Sequence, residues 1–82
     1  MVKADAKIRY VIFEKASDTN REYIYQIGRS SAYTSEDIGN AIEFYDMETV
    51  LTVKEHILKM YSNRSINKEL YVLSISTNYE VI

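Results

Sequence analysis

One segment of this 82-residue chain repeats its apolar residues with a helical period over a length that makes a real helix. Met47, Val50, Leu51, Val53, Ile57, Leu58, Met60 and Tyr61 cover about half the circumference at about 100° per residue. Glu48, Thr52, Glu55, His56 and Lys59 cover the other half. The pattern predicts a helix over 47–62. Asp46 caps it, and Glu48 sits in the first turn, where the helix dipole favours an acid. A second start is also encoded. Thr52-Val53-Lys54-Glu55 fits a capping box, which would begin the helix at Val53 and leave Thr49 to Leu51 extended. Lys54 falls inside the apolar arc. Its long stem predicts an ammonium carried to the edge, towards Glu43 or Glu48.

The other apolar runs alternate with a period of two. In residues 7–15, Ile8, Tyr10 and Ile12 share one phase and Val11 and Phe13 the other, which predicts a strand buried on both faces at its middle. Ala16-Ser17-Asp18-Thr19-Asn20 is a turn of short polar side chains. Residues 22–28 alternate Tyr23, Tyr25 and Ile27 with Ile24 and Gln26 and predict the second strand of an antiparallel hairpin. Residues 29–35 read as a loop, with Thr34 or Ser35 placed to cap a short helical turn through Ile38. Gly39-Asn40 then stops that turn. Ala41 to Tyr45 fits either a helix or a short extended strand, with the extended form preferred. Ser62 to Asn67 breaks the main helix. Residues 69–77 predict the closing strand, and Asn78 to Ile82 continue its pattern.

One helix and a few strands define the fold class as α+β. The expected architecture is a single domain over 1–82, a small antiparallel sheet of three to four strands with the helix on one face. One helix covers one face of such a sheet. The opposite face carries many of the chain's eight tyrosines and is expected to be solvated or buried against a partner. Tyrosine suits half-buried strands, with its ring packed and its hydroxyl wet, and it is also enriched in protein interfaces.

The charge is segregated. From Glu36 to Val53 there are five carboxylates, Glu36, Asp37, Glu43, Asp46 and Glu48, and no Lys or Arg. Residues 1–35 carry six bases against four acids, and residues 54–82 four bases against three acids, so the total is only −2. Segregated charge speaks of partners rather than of fold. It points to a protein with a basic surface.

Chemical motifs are sparse. There is no cysteine, so neither disulfides nor thiolate ligands exist, and a reducing, cytoplasmic home, or an oligomer, is expected. Met1 to Lys7 is polar and does not read as a signal peptide, and no run is apolar enough to span a membrane. The single histidine, His56, has Thr52, Lys59 and Met60 one turn away, so it lacks a partner of metal-ligand type and reads as a boundary residue of the helix. The carboxylate pairs Glu36-Asp37 and Asp46-Glu48 are explained by capping and solvation better than by hydrolytic chemistry. With two glycines there is no phosphate-cradling loop. The expected catalytic, metal and cofactor sets are therefore all none, and the protein reads as a non-enzyme.

Arg9, Tyr10, Phe13, Tyr23, Tyr25 and Arg29 place bases and aromatics on the hairpin in the manner of a base-stacking platform. The pI of about 5.3 opposes that reading, because the electrostatic attraction to phosphate would be missing.

Tyr10-Val11-Ile12-Phe13-Glu14-Lys15, then Tyr23-Ile24-Tyr25, then Asp37-Ile38-Gly39-Asn40-Ala41-Ile42-Glu43-Phe44 before a helix, then a tyrosine-bearing closing strand, resembles short accessory proteins of phages and mobile elements of Gram-positive bacteria. The likeness spans most of the chain and rests on style rather than on one motif. It implies a non-enzymatic protein in the cytoplasm of a bacterial host. Some such proteins block host machinery, anti-CRISPR proteins among them, and acidic ones often do so by filling a groove meant for nucleic acid. The leading expectation is an inhibitor-like protein-binding module acting through Glu36, Asp37, Glu43, Asp46 and Glu48, with Tyr23 and Tyr25 beside them. The alternatives are a single-stranded nucleic-acid binder using the hairpin tyrosines, and a structural homodimer that buries the open sheet face.

Overall fold

The computed structural model describes residues 2–3, 7–77 and 80–81. Its strands are β1 (Val2–Lys3), β2 (Lys7–Lys15), β3 (Arg21–Ile27), β4 (Ala32–Ser35), β5 (Leu70–Thr77) and β6 (Glu80–Val81), with one α-helix, α1 (Met47–Asn63). β2 to β5 form a four-stranded antiparallel sheet in the order β4-β3-β2-β5. β1 and β6 pair separately as a two-stranded ribbon, so Glu80–Val81 does not simply prolong β5. Asn78, Tyr79 and Ile82 lie outside the described residues. The class is the expected α+β.

The helix begins where Asp46 allows. The Asp46 carboxylate accepts the Thr49 N–H and the Thr49 hydroxyl, each at 2.9 Å. The alternative start fails because the Thr52 hydroxyl is spent on the Glu48 carbonyl, at 2.9 Å, inside the helix. At the far end Ser65 takes a left-handed conformation, φ 58°. That lets the Ile66 N–H reach back to the Tyr61 carbonyl at 2.7 Å and the Ser65 N–H to that of Ser62 at 3.0 Å, which satisfies two carbonyls the helix would leave bare.

α1 lies across β2 and β5. Val50, Ile57, Met60 and Tyr61 meet Ile12, Ile24 and Leu70 in the core, and Val53 and Leu58 pack at its margin. The apolar arc is narrower than its sequence suggests, because Met47 and Leu51 remain exposed. Lys54 is half-buried on that side, and no carboxylate pairs with it among the described residues.

Two expectations are corrected. Residues 29–35 are not all loop: Ala32–Ser35 form the edge strand β4. The signal was masked by a bulge. Ile24 opposes Thr34, but Gln26 opposes Tyr33, so β3 carries an extra residue at Tyr25. The bulge shifts the side-chain phase and turns Ile27 towards the same core as Ile24. Thr34 and Ser35 therefore lie in the strand, and Asp37 caps the following 3₁₀ turn (Ile38–Asn40).

The open face is also less open than expected. Val11 is only 1% and Phe13 only 6% exposed. Phe13 lies between Tyr71, stacked at 5.3 Å, and Tyr23, tilted at 6.0 Å, and the Arg21 guanidinium sits 4.6 Å over its ring. This cross-strand row seals the centre of the face from within the chain.

Residues 41–44 resolve as extended chain. Ile42 donates to the Ile24 carbonyl at 3.0 Å, and Tyr10 and Phe44 exchange two backbone bonds at 2.7 and 2.8 Å. The segment thus fills the gap where β3 diverges from β2.

Candidate functional site

The five carboxylates expected to meet a partner all belong to exposed residues. The structure gives three of them internal work. Asp37 accepts the Gly39 N–H at 2.8 Å, Asp46 caps α1, and Glu43 forms an ion pair with Arg9 at 3.1 Å. Arg9 is the one base that meets this block among the described residues. Glu48 lies in the first turn of α1, where the dipole accounts for an acid. Glu36 has neither a cap nor an ion pair among the described residues.

The acids do not gather at one point. Glu36 shares the rim of a shallow hollow of about 280 Å³ with Thr19, Asn20, Arg21 and Tyr23. Tyr25 faces the neighbouring edge, with its ring 6.5 Å from that of Tyr33. Glu43 and Arg9 border a second hollow, of about 250 Å³, with Val11, Ile38, Gly39 and Ile75. Glu36, Tyr23 and Tyr25 thus fall on the β3–β4 side of the sheet, whereas Asp46 and Glu48 belong to the helix start. His56 is exposed on α1.

The strongest electrostatic feature was not singled out from the sequence. Glu14 is the one buried charged residue among the described ones, at 3% exposure. It shares the phase of Ile8, Tyr10 and Ile12, so β2 points it into the core side of the sheet. Its carboxylate accepts the Tyr61 hydroxyl at 3.3 Å and the Lys68 ammonium at 3.0 Å. Glu22 stands opposite it across the β2–β3 pair. Burial, and then the Glu14 and Glu22 charges, push the Tyr61 phenol up to about 12. The phenol therefore stays protonated and keeps donating. A carboxylate in the phase of a strand's core residues is the sequence signal that could have revealed this cluster.

The Glu14–Tyr61–Lys68 cluster joins three elements: β2, the last turns of α1 and the segment leading into β5. Its chemistry is that of a tether, because every polar atom faces a complementary one from the same chain. At the exposed end of the sheet the Tyr71 hydroxyl donates to Glu69 at 2.5 Å, which raises its pKa, and the Lys15 ammonium lies 5.3 Å over the Tyr71 ring. No described helix is long and apolar enough to cross a membrane. Comparison with known protein families, with curated proteins and with solved structures finds no match.

Proposed function

We propose that this protein is a small, non-enzymatic protein-binding module whose acidic 36–48 stretch meets a basic surface. On this reading the surface is a groove that ordinarily holds nucleic acid, and the module acts as an inhibitor inside a bacterial cell. One observation carries the reading. Five exposed carboxylates are answered by a single guanidinium, that of Arg9, among the described residues, so most of the negative charge points outward. Such a charge speeds association with a basic partner and sets its register more than it adds raw affinity. Glu36 shares its hollow with Tyr23, an aromatic of the kind interfaces favour.

The test is capture from a bacterial lysate with the tagged protein, repeated with a Glu36→Gln/Glu48→Gln variant. These two acids lack the caps and the ion pair that occupy the other three. A basic protein should be retained by the parent chain and depleted by the variant. Equal recovery by both would reject the reading.

A second reading rests on the aromatic row Tyr23–Phe13–Tyr71 with Arg21 and Lys15 over it. Rings and cations together resemble a platform for single-stranded nucleic acid. It is the weaker reading, because Phe13 is buried and the Arg21 guanidinium already occupies its face. Fluorescence anisotropy with a labelled oligonucleotide distinguishes the two: saturable binding supports the platform, and none supports the acidic module.

A further inference from the structure

The geometry points to a homodimer built by pairing β5 with β5 of a second copy, to make one continuous eight-stranded sheet. The two edges of the β4-β3-β2-β5 sheet differ in kind. β4 is four residues long and lies beside the bulge in β3, both of which discourage further pairing. β5 is eight residues long and pairs with β2 without a register shift, from Lys7↔Thr77 to Glu14↔Leu70. Leu70 to Thr77 contains no charge and no proline. No strand among the described residues pairs with its outer side. Within the strand itself there is no charge, proline or bulge of the kind that normally protects a long edge.

The backbone groups that face outward can be named. Tyr10 gives its N–H and its carbonyl to Phe44, so both point away from β5. In an antiparallel ladder these directions alternate along the strand. Arg9, Val11 and Phe13 therefore turn to β5, and their partners Ile75, Leu73 and Tyr71 turn back to them. Leu70, Val72, Ser74 and Ser76 then direct their N–H and carbonyl groups to the outer edge, most openly at the exposed Ser74 and Ser76 and least at Leu70, which is 4% exposed.

One register uses all four of these residues. A twofold axis through Leu73 sets Leu70 against Ser76 of the second copy and Val72 against its Ser74. That pairing makes about eight inter-chain backbone hydrogen bonds. A shift by two residues in either direction leaves outward groups at both ends without partners. The side chains agree with the same register. On the helix face a large residue always meets a serine. On the other face Leu73 meets Leu73, and Tyr71 meets Ile75, an aromatic to β-branched pair of the kind that stabilises sheets. The strand complements itself in size and carries no charge to repel its copy, so a second copy of this chain is the occupant that fits.

The test uses sedimentation or light scattering on the whole chain, with circular dichroism to confirm folding. The parent chain should show a monomer–dimer equilibrium. Leu73→Lys and Leu73→Glu each place like charges directly across the axis and should weaken the dimer at least tenfold. An equimolar mixture of the two should restore it. Ser74→Pro removes an outward N–H and leaves the β2 ladder intact, so it should also give a folded monomer. It carries the test should the Leu73 variants fail to fold. A parent chain still monomeric at about 1 mM, where even a Kd of that size would show, would overturn the proposal. Dimerisation unchanged in Ser74→Pro, or in both charged variants, would overturn it, as would a mixture of folded Leu73 variants that stays monomeric.

Discussion

Tyr61→Phe removes one oxygen from the molecule and little else. The ring stays in the core beside Ile12, Ile57 and Leu70, so no cavity opens. What is lost is the hydroxyl donor to Glu14, whose carboxylate keeps Lys68 as its remaining partner. A hydrogen bond to a charged group contributes about 1.5–3 kcal/mol. The 3.3 Å separation is long for an O–H to oxygen bond, which places the loss at the lower end, about 1.5 kcal/mol. For a domain of this size that corresponds to a fall in Tm of roughly 6–12 °C.

The same substitution has a signature in pH. The phenol's ordinary pKa is 10.0, and folding raises it to about 12. The stabilisation is therefore whole below about pH 10 and is lost as pH rises towards 12, because the unfolded chain releases that proton first. Urea unfolding of parent and variant at pH 7 and again above pH 10 measures both effects. The gap between the two proteins should be about 1.5 kcal/mol at pH 7 and should shrink under alkaline conditions. A gap below about 0.3 kcal/mol at pH 7 would show that Glu14 does not depend on Tyr61, and the tether argument would fail.

Two further outcomes follow from the packing and the backbone. Ile57 is 0% exposed at the centre of the helix–sheet contact, so Ile57→Ala should cost about 2–5 kcal/mol in urea unfolding, and a loss under about half a kcal/mol would displace it from the core. Ser65 holds a left-handed φ of 58° after α1, so Ser65→Gly should raise stability by up to about 1 kcal/mol in thermal melts, and a loss would contradict the strain.

The elements that could be read from sequence are those whose patterns are local. β2, β3 and β5 announce themselves by alternation, and α1 by its stripe and by Asp46. β4 was hidden because Tyr33, Thr34 and Ser35 sit in a polar stretch, and the bulge at Tyr25 breaks the two-residue phase that would have revealed its partner. The extended form preferred for Ala41 to Tyr45 holds over 41–44, but local pattern left a helix open as well, since what fixes the segment is backbone pairing with the distant Ile24 and Tyr10. The same distance hid the Arg9–Glu43 pair. That pair and the Asp37 cap also change the reading of the acidic stretch: internal structure employs Asp37 and Glu43 as it does Asp46, and leaves Glu36 and Glu48 without such a contact among the described residues. Glu14 shows the opposite case. Its phase within β2 was visible, but its partners Tyr61 and Lys68 became neighbours only through the fold.

The role proposed for the exposed acids is to meet a basic partner. Glu36 and Glu48 bear it most directly, because the caps and the ion pair belong to Asp37, Asp46 and Glu43. The decisive measurement is the association rate of the captured partner with the parent chain and with the Glu36→Gln/Glu48→Gln variant across a range of ionic strength. The variant is expected to fold and to associate about tenfold more slowly at low salt, with a shallower dependence on salt and a nearly unchanged dissociation rate. An association rate at low salt equal to that of the parent would contradict it, and would make the acidic stretch a solvated face of the fold.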